Sequence, residues 1–131
     1  MILYKSVFLI DDDIDDRDLF LDALDEIDNN IHCSLAENGK TAIEILLSDI
    51  FEKPELIFLD LNMPLINGKE LLKELKNSRD LSPIPVIMYS TFFGPDEMDE
   101  IINLGASYCL VKHTSFSELK SALRMILSKN W

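Results

Sequence analysis

The chain holds only two cysteines, two histidines and four glycines in 131 residues. Cys33 and Cys109 lie in separate apolar or strand-like segments, with no CxxC pair and no Cys/His cluster beside either. A structural zinc site needs four grouped ligands, so that class is excluded, and both residues are expected to be reduced, buried thiols. No apolar run approaches the roughly 20 residues of a membrane-spanning helix, so no membrane insertion is expected. The opening residues, Met1-Ile2-Leu3-Tyr4-Lys5, lack the charged n-region, long apolar stretch and cleavage site of a signal peptide, which points to the cytoplasm. Repeats, low-complexity segments and linker-like stretches are missing as well. The 131 residues therefore read as one domain, residues 1–131, large enough to bury a core.

Basic charge is also scarce. The net charge is −12, and between Asp11 and Asp28 ten acidic residues face a single base, Arg17. Direct nucleic-acid binding needs a basic footprint and is excluded. An acidic excess confined to one short stretch suits either a solvated helix face or a site that gathers a divalent cation.

Against these absences stands one informative stretch, Leu56-Ile57-Phe58-Leu59-Asp60-Leu61-Asn62-Met63-Pro64, followed by Gly68. Four consecutive apolar residues predict a strand buried on both faces, as in the centre of a parallel sheet. The run ends on a carboxylate, and in open α/β sheets ligands collect at the carboxyl ends of strands. The same grammar recurs along the chain. Ser6 to Ile10 predicts a first strand ending at Asp11-Asp12-Asp13, with Asp13 capping a helix that carries Phe20, Leu24 and Ile27 on one side. Asp15 and Asp16 suit the positive end of that helix. His32 to Glu37 predicts a second, more polar strand, and Asn38-Gly39 opens a helix carrying Ala42, Ile43, Leu46, Leu47 and Ile50.

Asn67-Gly68 opens a third helix, with Leu71, Leu72 and Leu75 inward. Val86 to Tyr89 is the fourth strand and ends at Ser90-Thr91; Gly94-Pro95 opens a helix expected to bury Met98, Ile101 and Ile102. Tyr108 to Val111 is the fifth strand and ends at Lys112, and a last helix runs from about Ser115 to Lys129. Trp131 is expected to fray.

Five strand–helix alternations predict an α/β fold: a doubly wound parallel sheet of order 2-1-3-4-5 with helices on both faces. Its reversal point lies between strands one and three, where Asp11, Asp12 and Asp60 are expected to meet. Ser90 and Lys112 end the two remaining strands on that side. Two acid positions, a hydroxyl and an amine at one sheet edge form a constellation.

That constellation resembles the receiver domains of two-component response regulators, over essentially the whole chain. The matching residues are the acids after strand one, Asp60-Leu61-Asn62-Met63-Pro64 with Gly68, Ser90, and Lys112 at the end of Gly105-Ala106-Ser107-Tyr108-Cys109-Leu110-Val111. The resemblance implies a flavodoxin-like receiver without an effector domain. Asp60 would be the phosphoacceptor, loaded by a sensor histidine kinase or phosphotransfer protein, and not an enzyme's turnover centre. It implies Mg²⁺ held by Asp12, Asp60, the backbone carbonyl of Asn62 and, through water, Asp11. Lys112 would pair with Asp60 and then with a phosphoryl oxygen, and Ser90 would donate to another. Output would pass through the fourth helix, fifth strand and fifth helix, to an unknown protein target or by onward phosphotransfer. The acidic fourth helix lacks the basic residues of a charge-paired dimer.

The chain departs from the family in three places. His113 stands where the family usually has a cis proline; a cis non-proline bond costs about 3–4 kcal/mol, so Lys112–His113 is expected to be trans, with His113 an exposed loop residue. Cys109 stands where the family often carries an aromatic residue, with Tyr108 facing the other way. Phe92, two residues past Ser90, is expected to slow hydrolysis of an acyl phosphate. Two other readings are weaker. An interaction module independent of phosphorylation predicts missing site residues. An aspartyl phosphohydrolase commonly places an acid where Asn62 stands.

Overall fold

A computed structural model describes residues 1–112 and 115–131. The expectations for the Lys112–His113 bond and for His113 lie outside the described residues.

Five short parallel strands alternate with five helices. They are β1 (Ser6–Ile10), α1 (Ile14–Ile27), β2 (His32–Ala36), α2 (Gly39–Leu46), β3 (Leu56–Asp60), α3 (Gly68–Asn77), β4 (Val86–Ser90), α4 (Glu97–Asn103), β5 (Tyr108–Val111) and α5 (Phe116–Leu127). The sheet order is β2-β1-β3-β4-β5, as the alternation predicts. Each parallel crossover returns the chain to the same sheet edge, which brings the ends of β1, β3, β4 and β5 together.

Strand periodicity divides the core in two. Phe8, Ile10, Ile57, Leu59 and Met88 face α2, α3 and α4, where they meet Ala42, Leu46, Leu71, Leu72, Leu75 and Ile101. Val7, Leu9, Leu56, Phe58, Ile87 and Tyr89 face α1 and α5, where they meet Phe20, Leu24, Leu119, Leu123 and Ile126. Phe20 packs edge-on against Phe58, with ring centroids 4.9 Å apart, and so seats α1 over the centre of the sheet.

Helix starts follow capping chemistry. The side chains of Asp13, Asn38, Asn67 and Ser115 accept from backbone N–H groups in the first turns of α1, α2, α3 and α5. The start of α4 differs: Asp96 adopts a left-handed backbone (φ 65°) and makes no side-chain cap bond. Glu97 instead ties the helix to the preceding loop, its Oε1 accepting from the Gly94 N–H at 2.9 Å.

Three expectations need correction. The second helix stops at Leu46, so Leu47 lies in the C-cap and Ile50 is 97% exposed beyond it. In α4 only Ile101 is buried, while Met98 and Ile102 are partly exposed and line a groove alongside β5. Trp131 does not fray. Its ring lies 5.3 Å from that of Tyr108, its Nε1–H donates to the Ile126 carbonyl at 2.8 Å, and its backbone N–H donates to Tyr4 Oη at 3.0 Å. Among the described residues, no helix is long and apolar enough to cross a membrane. Both cysteines are free and half-buried rather than fully buried; desolvation pushes the Cys33 thiol up to about 12, away from reactivity.

Candidate functional site

The edge where strands end holds a shallow pocket of about 200 Å³, lined by Asp12, Asp13, Asp16, Asp60, Asn62, Thr91 and Lys112. Asp60 forms its floor. As the last residue of β3, flanked by β1 and β4, it is almost completely buried, and the Asn62 N–H donates to its Oδ1 at 3.1 Å. Gly68 explains why the stretch closes on glycine. A β-carbon there would stand 2.5 Å from the Asp60 carbonyl oxygen and 2.6 Å from Leu61 Cα, both backbone atoms that cannot move aside.

Asp11 is fully buried, and both of its carboxylate oxygens are engaged. The Asp13 N–H donates to Oδ1 at 3.0 Å, and Lys112 Nζ donates to Oδ2 at 2.9 Å. Asp12, beside it, is exposed. Among the described residues, Asp11, Asp12 and Asp60 form a group whose oxygens lie within 4.8 Å of one another. Three hard oxygen donors at that spacing fit a hard divalent cation and match neither zinc nor copper preferences.

Lys112 arrives from the end of β5, its backbone N–H donating to the Ser90 carbonyl at 2.7 Å. Its ammonium sits 5.0 Å from the centroid of the Tyr89 ring. The expected ion pair with Asp60 is present at 3.4 Å, but Asp11 and Asp16 stand closer, each at 2.9 Å. Asp16 is the residue that sequence reasoning misses as part of the site, because the helix dipole alone accounts for an acid in the first turn of α1. A usable signal exists, since side chains in that turn lean back toward the helix N-terminus and hence toward the strand ends.

Ser90 is buried at the end of β4, and its hydroxyl is engaged by Asn62 and Phe92. Oγ donates to the Phe92 carbonyl at 2.9 Å and accepts from Asn62 Nδ2 at 3.1 Å and from the Phe92 N–H at 3.3 Å. Phe92 itself is 68% exposed. Cys109 and Tyr108 face opposite sides of the sheet as expected, Cys109 toward the α3–α4 side and Tyr108 toward the α1–α5 side.

Charge decides the chemistry of this pocket. Burial, and next the Asp11 charge, push the Asp60 carboxyl from its usual 3.8 up to about 7, against the pull of Lys112 and of the Asn62 N–H. Burial depresses the Lys112 ammonium, but hydrogen bonds to Asp11 and Asp16, with the Asp11 and Asp60 charges, outweigh it and hold the group above the ordinary lysine range. Five acids, Asp11 included, against one ammonium thus leave the site negative, and a divalent cation would offset the Asp11 repulsion that adds to burial in raising Asp60.

Residues 7–124 match the family model described as the response regulator receiver domain. The chain is a receiver domain. Among curated relatives, the transcriptional regulatory protein YdfI of Bacillus subtilis is 34% identical over 92% of this chain, which spans 55% of that protein. A protein-glutamate methylesterase/protein-glutamine glutaminase of Methanococcoides burtonii is 30% identical over 95% of the chain but only 34% of its own length. This receiver therefore covers about half, or less, of those two relatives. Among solved structures, the phosphorylated cyanobacterial phytochrome response regulator RcpA superposes with a TM-score of 0.85 at 27% identity, covering 95% of this chain and 91% of that one. A second response regulator, solved in its Mn²⁺-bound form, gives 0.81 at 27% identity over 97% of both chains. The receiver's acidic group can hold a divalent metal, as the spacing of Asp11, Asp12 and Asp60 indicates.

Proposed function

We propose that this receiver accepts a phosphoryl group on Asp60 from a histidine kinase or histidine phosphotransfer protein, and passes the signal on by phosphorylation-dependent protein binding or onward transfer. The observation that carries this reading is the buried Asp60 carboxylate at the floor of a pocket that also presents Lys112 and two further acids.

Asp60 Oδ2, the oxygen not bonded to the Asn62 N–H, attacks phosphorus. A new P–O bond forms as the P–N bond to the donor imidazole breaks. The electron pair leaves on nitrogen, which is then reprotonated by solvent. Asn62 steadies the other carboxylate oxygen throughout. Lys112, ion-paired with Oδ2 at 3.4 Å, turns to donate a hydrogen bond to a phosphoryl oxygen once Asp60 is esterified. Ser90 gives up the Phe92 carbonyl and donates to a second oxygen. Little covalent chemistry is asked of these groups beyond nucleophilic attack; they position and neutralise charge.

Asp12, Asp60 and the Asn62 carbonyl would hold Mg²⁺, and Asp11, with both oxygens already occupied, would contribute through water. The ion would supply neutralisation of charge on the phosphoryl oxygens. Few protein ligands and several waters would suit Mg²⁺ better than larger ions.

The domain is thus a stoichiometric phosphoacceptor that acts in the cytoplasm with its donor, and its downstream target is a protein. The test is intact mass after incubation with Mg²⁺ and a small acyl phosphate donor, for the natural chain and Asp60→Ala. One phosphoryl group on the former and none on the latter is expected. Equal uptake by both would refute the assignment of Asp60.

A further inference from the structure

We infer that Asp16 is a positioning residue that holds the Lys112 ammonium on the α1 side of the pocket and thereby restrains phosphoryl loading of Asp60. The inference rests on the phosphoacceptor reading above and concerns how that site is tuned.

An ammonium has three N–H donors and no acceptor. Lys112 donates to Asp11 and Asp16, each at 2.9 Å, while Asp60 stands at ion-pair distance, 3.4 Å, without a hydrogen bond. The longest of the three is the one to the proposed nucleophile. Asp11 is fixed, because its other oxygen accepts from the Asp13 N–H and its backbone carbonyl accepts from Arg17 Nη1 at 2.8 Å. Asp16 is about one-third exposed and reaches the ammonium from the first turn of α1, whose N-cap, Asp13, accepts from the Asp16 N–H at 3.2 Å. Lys112 spans the Tyr89 ring to get there, and Tyr89 packs in turn against Phe20 of α1. Ammonium and helix are therefore tied together across the pocket.

Loading changes what the site asks of Lys112. As the bond from Asp60 to phosphorus forms and the donor's leaving group departs with its electron pair, negative charge gathers on the phosphoryl oxygens. The ammonium must then turn toward the pocket centre. Asp16 opposes this twice, by competing for the same N–H donors and by adding a like charge to the pocket wall. The same negative charge favours a divalent cation. Asp16 thus favours metal and disfavours phosphate, a split that a merely structural residue would not produce.

The test compares Asp16→Asn, Asp16→Glu and Asp15→Asn with the natural chain. Asp15→Asn removes the same charge from the same helix turn at an exposed position. Two quantities are measured: Mg²⁺ affinity by calorimetry, and the initial rate of phosphate uptake from acetyl phosphate at saturating Mg²⁺ by intact mass. Asp16→Asn should bind Mg²⁺ about threefold to fivefold more weakly and load about fivefold faster. Asp16→Glu should return both toward the natural values, and Asp15→Asn should stay within about twofold of them. Uptake in Asp16→Asn equal to or slower than the natural chain would overturn the inference, as would equal loss of Mg²⁺ affinity in Asp15→Asn. If even the natural chain takes up no phosphate, the phosphoacceptor reading fails, and the Mg²⁺ comparison alone decides whether Asp16 acts as a specific holder of charge.

Discussion

Replacing Asp60 by asparagine should stabilise the metal-free protein, most strongly in mild alkali. Asparagine keeps the shape and the oxygen that accepts the Asn62 N–H, and removes only the ionisable charge. In the folded chain the Asp60 carboxyl titrates at about 7 rather than 3.8. Between those values the native state binds more protons than the unfolded chain, so this group's contribution to stability falls as pH rises through the window. It is fully favourable below the ordinary carboxylate range and lost above neutrality. Integrated over that shift, the raised carboxyl costs the fold about 4 kcal/mol at pH 8, where it is ionised, and about 2 kcal/mol at pH 5, where folding must protonate it. Urea unfolding of the two proteins without metal should therefore show the variant ahead by about 4 kcal/mol at pH 8, the gap narrowing by about half at pH 5. Mg²⁺ should narrow the gap at pH 8 by binding the natural fold more tightly, adding about 2.7 kcal/mol at a hundredfold excess over its dissociation constant and leaving the variant about 1 kcal/mol ahead. A variant no more stable than the natural chain at pH 8, or a gap independent of pH, would refute the claim that burial and the Asp11 charge strain this carboxylate.

Lys112→Met should destabilise the metal-free protein by about 3 kcal/mol, since it leaves the fully buried Asp11 without its cation; chemical denaturation with and without Mg²⁺ reads this, and added metal should recover part of the loss. Gly68→Ala drives a β-carbon into the backbone of Asp60 and Leu61 and should cost about 2–3 kcal/mol, measured as a fall in thermal midpoint; an unchanged midpoint would contradict the 2.5 Å approach. Phe92→Ala should shorten the lifetime of the acyl phosphate, followed by intact mass after donor removal, and an equal or longer lifetime would reject a shielding role for the ring.

How much of the fold and the site is legible in the sequence depends on the kind of residue. The buried run Leu56 to Leu59 and its four companions announce strands, and parallel crossovers return every strand end to the same edge. Asp11, Asp12, Asp60, Ser90 and Lys112 can therefore be assembled from pattern alone. Asp16 cannot, because a carboxylate in a first helical turn already has a sufficient explanation in the helix dipole. Nor can the hydroxyl direction of Ser90, which rests on the Asn62 amide from a different loop. The fraying expected of Trp131 fails for the same reason: Tyr4 and Tyr108, remote in the chain, receive it.

The amino-acid sequence by itself determined the order of strands and helices, the edge on which the acids collect, and the glycine that lets α3 close against β3. Periodicity and backbone sterics act locally, and a parallel crossover converts them into position without further information. Tertiary structure alone decided which acceptors Lys112 chooses and how strongly Asp60 resists ionising. A four-carbon stem can reach several carboxylates, and the selection among them is a balance of desolvation and charge that exists only once α1, β1, β3 and β5 stand side by side.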